Sequence, residues 1–327
     1  MSAPLKGLVV GLGRAGLEFD LASGPDAVYS HAKSLMRAKG AELAGGVDPD
    51  PGKRAAFQSF TGKPAFDSVA SFAERAGAEI DLVCASTPTV VRETVLKEIL
   101  ASLKPRAILL EKPVAASLDE AVRVAEMLGR SGALVLVNYI RRFLPGFGRL
   151  RKEIASKKYG ELQAGTIYYS TGLFNNASHF LNLLSFLFQD RLEPVWVGDS
   201  RPCSLKGDID LPFCLGLGGA MIFFQAVDDA AFTMGEIDLV FSSGRVRLKD
   251  YAFYQDSWLS GPDPRYPDSP MLRPEHSDLL MIPEDYQARV VETIADVLTS
   301  GRDNPSDIDS AMQTMELCAR IRERTTE

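Results

Sequence analysis

Short apolar runs alternate with amphipathic stretches along the first 137 residues of the chain. The runs "GLVVGLG" (7–13), "AELAGGV" (41–47), "IDLVCAS" (80–86), "RAILLE" (106–111) and "ALVLVN" (133–138) predict strands buried on both faces. Helical patterns lie between them, at 50–60, 68–76, 89–103 and 117–130. The last opens on Ser117 and Glu120, an S-x-x-E capping box whose two side chains satisfy otherwise unpaired backbone N–H groups. Apolar strands separated by helices predict an α/β, doubly wound parallel sheet.

After Asn138 the pattern changes. "GELQAGTIYYSTG" (160–172) alternates loosely, and 220–250 carries strand-like runs with "SSGR" (242–245) as a hairpin turn. This half predicts an α+β domain built on a mostly antiparallel open sheet. Residues 284–325 return to helix, broken between Gly301 and Pro305. The Pro-rich stretch 254–275 predicts a long loop, and the Trp and Tyr side chains of 251–266 suit either a flap over a ligand or a plain solvent-facing loop. The expected domains are 1–137 and 138–327, with the terminal helices free to pack back on the first.

Composition narrows the function. The chain has 327 residues and a net charge of −7, which argues against a broad nucleic-acid surface. Cys84, Cys203, Cys214 and Cys318 are scattered, so neither a disulfide frame nor a zinc site is expected, and no metal is assigned. They suit a reducing compartment, and the expected location is cytoplasmic. No apolar run approaches the length of a membrane span.

Gly11, Gly13 and Gly16, with Arg14 and Ala15 between the last two, form G-x-G-x-x-G straight after the first strand. Such glycines permit a tight turn, a close approach of backbone to a pyrophosphate, and close strand–helix packing. The first domain is therefore expected to be a Rossmann domain that binds a dinucleotide. An acid should follow the second strand to hold a ribose, and Asp48 does. It stands 32 residues beyond Gly16, however, where about 20 suffice. The excess lies in 17–31, which predicts an inserted loop before a helix over 27–38. Asp20 and Asp26 fall in that insertion, follow no strand, and are set aside. Lys53 and Arg54 read either as attractors for a 2′-phosphate or as a solvated helix face, so NAD is expected while NADP stays open.

"TGLFNNASHFLNLL" (171–184) reads as an apolar helix with Asn175, His179 and Asn182 at i, i+4, i+7 on one stripe. The stripe is either a wet surface or the wall of a cleft.

Further motifs decide between those readings. "GLGRAG", "ASTPT" (85–89), "LLEKPVAAS" (109–117) and "VNYIRRFLPGF" (137–147), with the stretch around His179, resemble the glucose–fructose oxidoreductase/inositol dehydrogenase family, Gfo/Idh/MocA. The resemblance implies NAD(P)-dependent hydride transfer at a carbinol carbon of a sugar, cyclitol or nucleotide sugar. It implies that Lys112 of E-K-P sits by nicotinamide and substrate, with Ser86, Thr87, Pro88 and Glu111 on the cofactor side. His179 falls on the family's histidine and is the implied general base. Asn175 and Asn182 stand where carboxylates are usual, so His179 should be less basic and Lys112 should carry more of the charge stabilisation. Tyr169, Asn175, Asn182, Arg141 and Arg142 would orient the substrate, the two arginines reading equally as an interdomain ion pair. Arg92 replaces a usual histidine and is assigned nothing. Lys112 and His179 are expected to face one pocket. The resemblance also implies a homodimer or homotetramer. An NAD-dependent hydrolase or lyase with transient oxidation, and a dinucleotide sensor without turnover, are the competing readings.

Overall fold

The computed structural model describes residues 3–266 and 268–326. The chain forms two compact units. One comprises 1–143 with 283–312, the other 144–282 with 313–327.

The first unit opens with Leu5–Val10 (β1), followed by the short helix Phe19–Leu21 (α1), His31–Arg37 (α2), Ala41–Val47 (β2), Pro51–Thr61 (α3) and Ala65–Phe66 (β3). Val69–Ala76 (α4), Leu82–Ala85 (β4), Thr89–Ser102 (α5), Ala107–Leu110 (β5), Leu118–Gly129 (α6) and Leu134–Val137 (β6) follow. The strands form a parallel six-stranded sheet in the order β3-β2-β1-β4-β5-β6. The five predicted strands are there because Leu8, Val9, Leu43, Leu82, Val83, Ile108, Leu109 and Leu136 are buried. Such residues have no solvent face to serve. Asp50, Ser68 and Ser117 cap α3, α4 and α6. The strand order reverses between β1 and β4, and such a switch point opens a crevice at the carboxyl ends of the strands.

The second unit contains Pro145–Ala155 (α7), Leu162–Tyr169 (β7), Ser178–Phe188 (α8), Glu193–Val197 (β8), Arg201–Pro202 (β9), Ile209–Asp210 (β10) and Phe213–Leu217 (β11). Ala220–Ala226 (β12), Gly235–Phe241 (β13), Gly244–Lys249 (β14), Tyr254–Gly261 (β15) and Met271–Leu279 (β16) complete its strands. Eight of them form one sheet, ordered β16-β15-β14-β13-β7-β12-β11-β8 and antiparallel except between β12 and β7. Tyr286–Ser300 (α9) returns to the first unit, and Ile308–Glu323 (α10) follows.

Two expectations are corrected. The stretch 254–275 is not a long loop, because β15 and β16 pair antiparallel across most of it. Gln255 and Ser257 are buried while Tyr254 is exposed, a period of two that the prolines concealed. Pro274 is tolerated because β16 is an edge strand. Trp258 lies under the Arg245 guanidinium, 5.3 Å from ring centroid to charge, so it belongs to the sheet and not to a flap. The helix expected over 27–38 begins only at His31, capped by the Ser30 side chain.

The inserted segment is ordered by one carboxylate. Asp20 is buried and accepts from Ser30 N at 2.7 Å, Tyr29 N at 3.1 Å and Ser23 Oγ at 3.0 Å. The Lys33 ammonium, also buried, stands 3.8 Å away. The substitution Asp20→Ala strands these donors and an unpaired cation. It should cost on the order of 3–5 kcal/mol by chemical denaturation; a loss below about 1 kcal/mol would show that the insertion is held by other means.

Candidate active site

The glycine loop lies at the switch point. Gly11 has φ +93°, and a side chain there would meet the Ser86–Thr87 backbone at 2.9 Å. A Cβ on Gly16 would stand 2.0 Å from the Gly11 carbonyl oxygen, so β1 and the following turn touch directly. Gly13 is different: the nearest atom to its missing Cβ is Lys53 Nζ, at 3.5 Å. Its backbone is open to a ligand's close approach. Arg14 is exposed and stacks on the Phe19 ring at 5.0 Å, while Ala15 is half-buried. A cavity of about 370 Å³, lined by Leu12, Leu17, Glu18, Asp50 and Lys53 among others, adjoins the loop.

Asp48 braces this loop. It is buried, with Oδ2 accepting from Leu12 N at 2.8 Å and Oδ1 from Asp50 N at 2.9 Å. The carboxylate expected to hold a ribose thus spends both oxygens on backbone N–H groups. Ser86 ties β4 to the loop, its hydroxyl donating to the Gly11 carbonyl at 2.7 Å.

Lys112, half-buried, follows the end of β5 and is joined to Pro113 by a cis peptide bond. The groups around it are buried and charged. His31 Nε2 lies 2.8 Å from Glu111 Oε1, and Asn138 Nδ2 donates to the same oxygen at 2.8 Å. Burial alone would drive the His31 imidazolium toward its neutral form. Hydrogen bonds to the Cys84 sulfur and the Glu111 carboxylate outweigh that and push its pKa up to about 10. Burial likewise raises Glu111, but His31, Asn138 and the Lys112 charge bring it down to about 2. The two shifts describe one buried ion pair. Glu111, expected to bind cofactor, is turned instead to these protein partners.

Arg92 joins the neighbouring strand ends. Its Nη1 donates to the Glu111 carbonyl at 2.7 Å and to that of Pro113, and its Nη2 to the Thr87 carbonyl at 2.6 Å. Burial pulls this guanidinium down to about 10, and the charges of Glu111 and Glu120 oppose the fall. Thr87 Oγ1 and Asn138 Oδ1 are buried without a hydrogen-bond partner among the described residues. Orphaned polar atoms beside an open glycine loop and a lysine are what a dinucleotide would satisfy, so the residues fit the cofactor. Pro88 is exposed at the start of α5. Arg141 is buried in the turn after β6, and Arg142 Nη1 reaches the Pro305 carbonyl at 3.4 Å.

In the second unit, His179 stands in the first turn of α8, partly exposed, between the buried Ser178 and Phe180. A π-type turn, Leu173–Ala177, precedes it and breaks the even spacing of the predicted stripe. Asn175 remains partly exposed; its side chain donates to the Thr171 carbonyl at 3.1 Å, and its N–H donates to Asp208 at 2.8 Å. Asn182 is not on a wall. It is buried and donates to Thr314 Oγ1 at 2.9 Å. Tyr169 does not orient a substrate either. It is wholly buried against Phe213 and Phe224, and its hydroxyl donates to the Leu211 carbonyl at 2.7 Å and accepts from Leu211 N at 3.1 Å.

Sequence reasoning missed His31, Arg92 and Asp208. His31 carried a signal in hindsight: a rare histidine at the head of an otherwise ordinary helix. Asp208 caps the turn before His179 from a distant hairpin, and no local pattern announces that.

Residues 5–139 match the oxidoreductase family described as having an NAD-binding Rossmann fold, Gfo/Idh/MocA. The matched stretch is the one that holds the glycine loop and the parallel six-stranded sheet. A putative UDP-kanosamine synthase oxidoreductase subunit from Amycolatopsis mediterranei (strain S699) is 28% identical over 201 residues, 56% of this chain and 51% of that protein. The chain thus matches about half the length of this curated relative. Among solved structures, UDP-N-acetylglucosamine 3-dehydrogenase GnnA from Acidithiobacillus ferrooxidans is 18% identical, with a TM-score of 0.76 over 98% of this chain and 97% of that one. A super-repressor mutant of Gal80p from Saccharomyces cerevisiae is 14% identical, with a TM-score of 0.78 over 99% and 97%. At these identities the two structures show the shared fold.

Two outcomes test this geometry. Arg92→Ala leaves three strand-end carbonyls without their donor and should destabilise the protein by on the order of 3–5 kcal/mol in denaturant titrations, whereas a neutral effect would contradict the brace. The ion pair adds a pH signature. His31, raised to about 10, stabilises fully below its ordinary 6.5 and loses that contribution as pH climbs toward 10. Glu111, lowered to about 2, stabilises fully above 4.5 and loses it as pH falls toward 2. Above about pH 6.5 the urea midpoint of the wild type should therefore fall more steeply than that of an H31Q/E111Q double variant. Parallel curves would mean that the pair is not ionised.

Proposed function

We propose that the protein is an NAD(P)-dependent dehydrogenase or reductase acting at a carbinol carbon of a sugar-type substrate, with Lys112 and His179 as its catalytic groups. The observation that carries the reading is Lys112 itself. A half-buried ammonium follows a strand end that Arg92 ties to Thr87, beside an open glycine loop. Bound NAD supplies the hydride acceptor or donor. Lys112 stabilises the negative charge that develops on the substrate oxygen. His179, partly exposed at the head of α8, takes or returns the hydroxyl proton, a task for which imidazole is suited near neutral pH. Asn175 stays partly exposed one turn earlier and orients substrate without adding charge. Arg141 and Arg142 follow β6 and supply cations for an acidic substrate group. The names of the relatives, a UDP-kanosamine synthase subunit and a UDP-N-acetylglucosamine dehydrogenase, favour a nucleotide sugar as substrate.

The reading extends to assembly and location. The uncovered face of β7, β12 and β13 exposes Tyr168, Met221, Phe223 and Val240, a surface suited to self-association as a homodimer or homotetramer. None of the four cysteines is in a disulfide among the described residues, which suits a reducing cytoplasm. No helix among the described residues is long and apolar enough to cross a membrane.

Reduced-nicotinamide absorbance across a panel of UDP-sugars, free sugars and cyclitols is the test. At least one should be turned over, and His179→Ala should lower that turnover by roughly 10²–10⁴. NAD binding without turnover of any panel member points instead to a sensor. Unchanged turnover in the variant removes His179 from the chemistry.

A further inference from the structure

The second unit holds a cavity of about 550 Å³ to which the proposed chemistry gives no task. That volume falls in the range of roughly 300–1,000 Å³ usual for small-molecule sites. Its walls are the later turns of α8, the turn that follows them, and one face of α10. On α10, Gln313, Glu316, Leu317 and Arg320 fall at i, i+3, i+4 and i+7, so a single stripe of the helix faces the space. His179 stands in the first turn of α8, and Gln189 follows its last. The two are about 15 Å apart along the helix axis.

Gln189 marks the site. It ends α8 with φ +53°, in the left-handed region where helix ends favour glycine. A side chain in that conformation has a steric cost, and the one present lines the cavity. Glycine would end the helix without that cost, so the helix end alone does not account for the amide. The side chains of Gln189, Ser185, Gln313 and Glu316 form no hydrogen bond or ion pair among the described residues. The arginines, by contrast, are matched. Arg191 and Arg320 both bind the Glu193 carboxylate, Arg320 at 2.5 Å, and Asp190 accepts from Arg191 N at 2.7 Å. Two guanidiniums and two carboxylates line the cavity, so its lining carries no net formal charge. Leu181, Leu192 and Leu317, all buried, give it an apolar floor.

We propose that this cavity is a second binding site, for a neutral polyhydroxylated ligand of the sugar or cyclitol class. Each hydroxyl of such a ligand both donates and accepts. A primary amide offers both functions in one plane, a carboxylate only accepts, and a serine hydroxyl does either. The carbon-bound hydrogens of the ring rest on the leucines. A strongly charged ligand gains no net attraction from a lining whose charges balance. The site is independent of the chemistry assigned to Lys112 and His179.

Saturation-transfer NMR titration of the full chain with D-glucose, D-galactose, myo-inositol and sucrose, without dinucleotide, reads weak binding directly. At least one of the four should bind. Gln189→Gly removes the amide and relaxes the backbone. It should weaken that ligand by about threefold to tenfold, yet raise the melting temperature by about one to three degrees. Adding Glu316→Ala should bring the loss to roughly a hundredfold. Both positions are exposed. Should the double variant not fold, Gln313→Ala, at another exposed position, replaces Glu316→Ala. Binding by none of the four, or an affinity that the variants leave unchanged, would overturn the proposal. Inorganic phosphate bound in preference to all four would overturn the ligand class.

Discussion

Glu111 carries a charge in a place where water does little to support it. An isolated carboxylate there would take up a proton, and the strand end that bears Lys112 would lose its anchor. The structure supplies His31 and Asn138 to one oxygen of that carboxylate. Arg92 holds the backbone on either side of Lys112. Asp48 and Ser86 do the same work at the glycine loop, through Leu12 N and the Gly11 carbonyl. Five strand ends that share only a parallel sheet are thus cross-linked by buried polar groups. A dinucleotide crevice needs its walls held in register, and these bonds hold them.

This logic explains which parts were legible in the sequence. Apolar runs such as "DLVCA" and "AILL" announce strands because a sheet covered on both faces admits nothing else. Gly11 and Gly16 announce the loop because neighbouring backbone would collide with any side chain there. Both signals are local. The brace is not local: His31 meets Glu111 across 80 positions of chain, and Arg92 meets Pro113 across 21. A single histidine at the head of a helix has no periodicity to betray its partner. Arg92 was passed over because it replaced an expected histidine, yet it binds three carbonyls that an imidazole could not all reach.

The second unit misled in the opposite direction. Spacing placed Asn175, His179 and Asn182 on one polar stripe read as the wall of a cleft, but the π-type turn before α8 shifts the phase, and Thr314 gives Asn182 a buried partner. Tyr169 looked like a substrate contact because a phenol can serve one; its hydroxyl instead satisfies both backbone groups of Leu211. Polar residues in a core are invisible as core residues until their partners are known. In β15 and β16 the prolines and acids disguised an edge hairpin whose alternation is clear once Gln255 and Ser257 are seen to be buried.

The central claim is that these braced strand ends form the nicotinamide end of a dinucleotide site with Lys112 at its lip. A crystal structure of the full chain grown with NAD tests it most directly. The account predicts the pyrophosphate against the backbone of Gly13 and the nicotinamide ring against Thr87 and Lys112. A dinucleotide bound in the reverse sense, or with its nicotinamide away from Lys112, would contradict it.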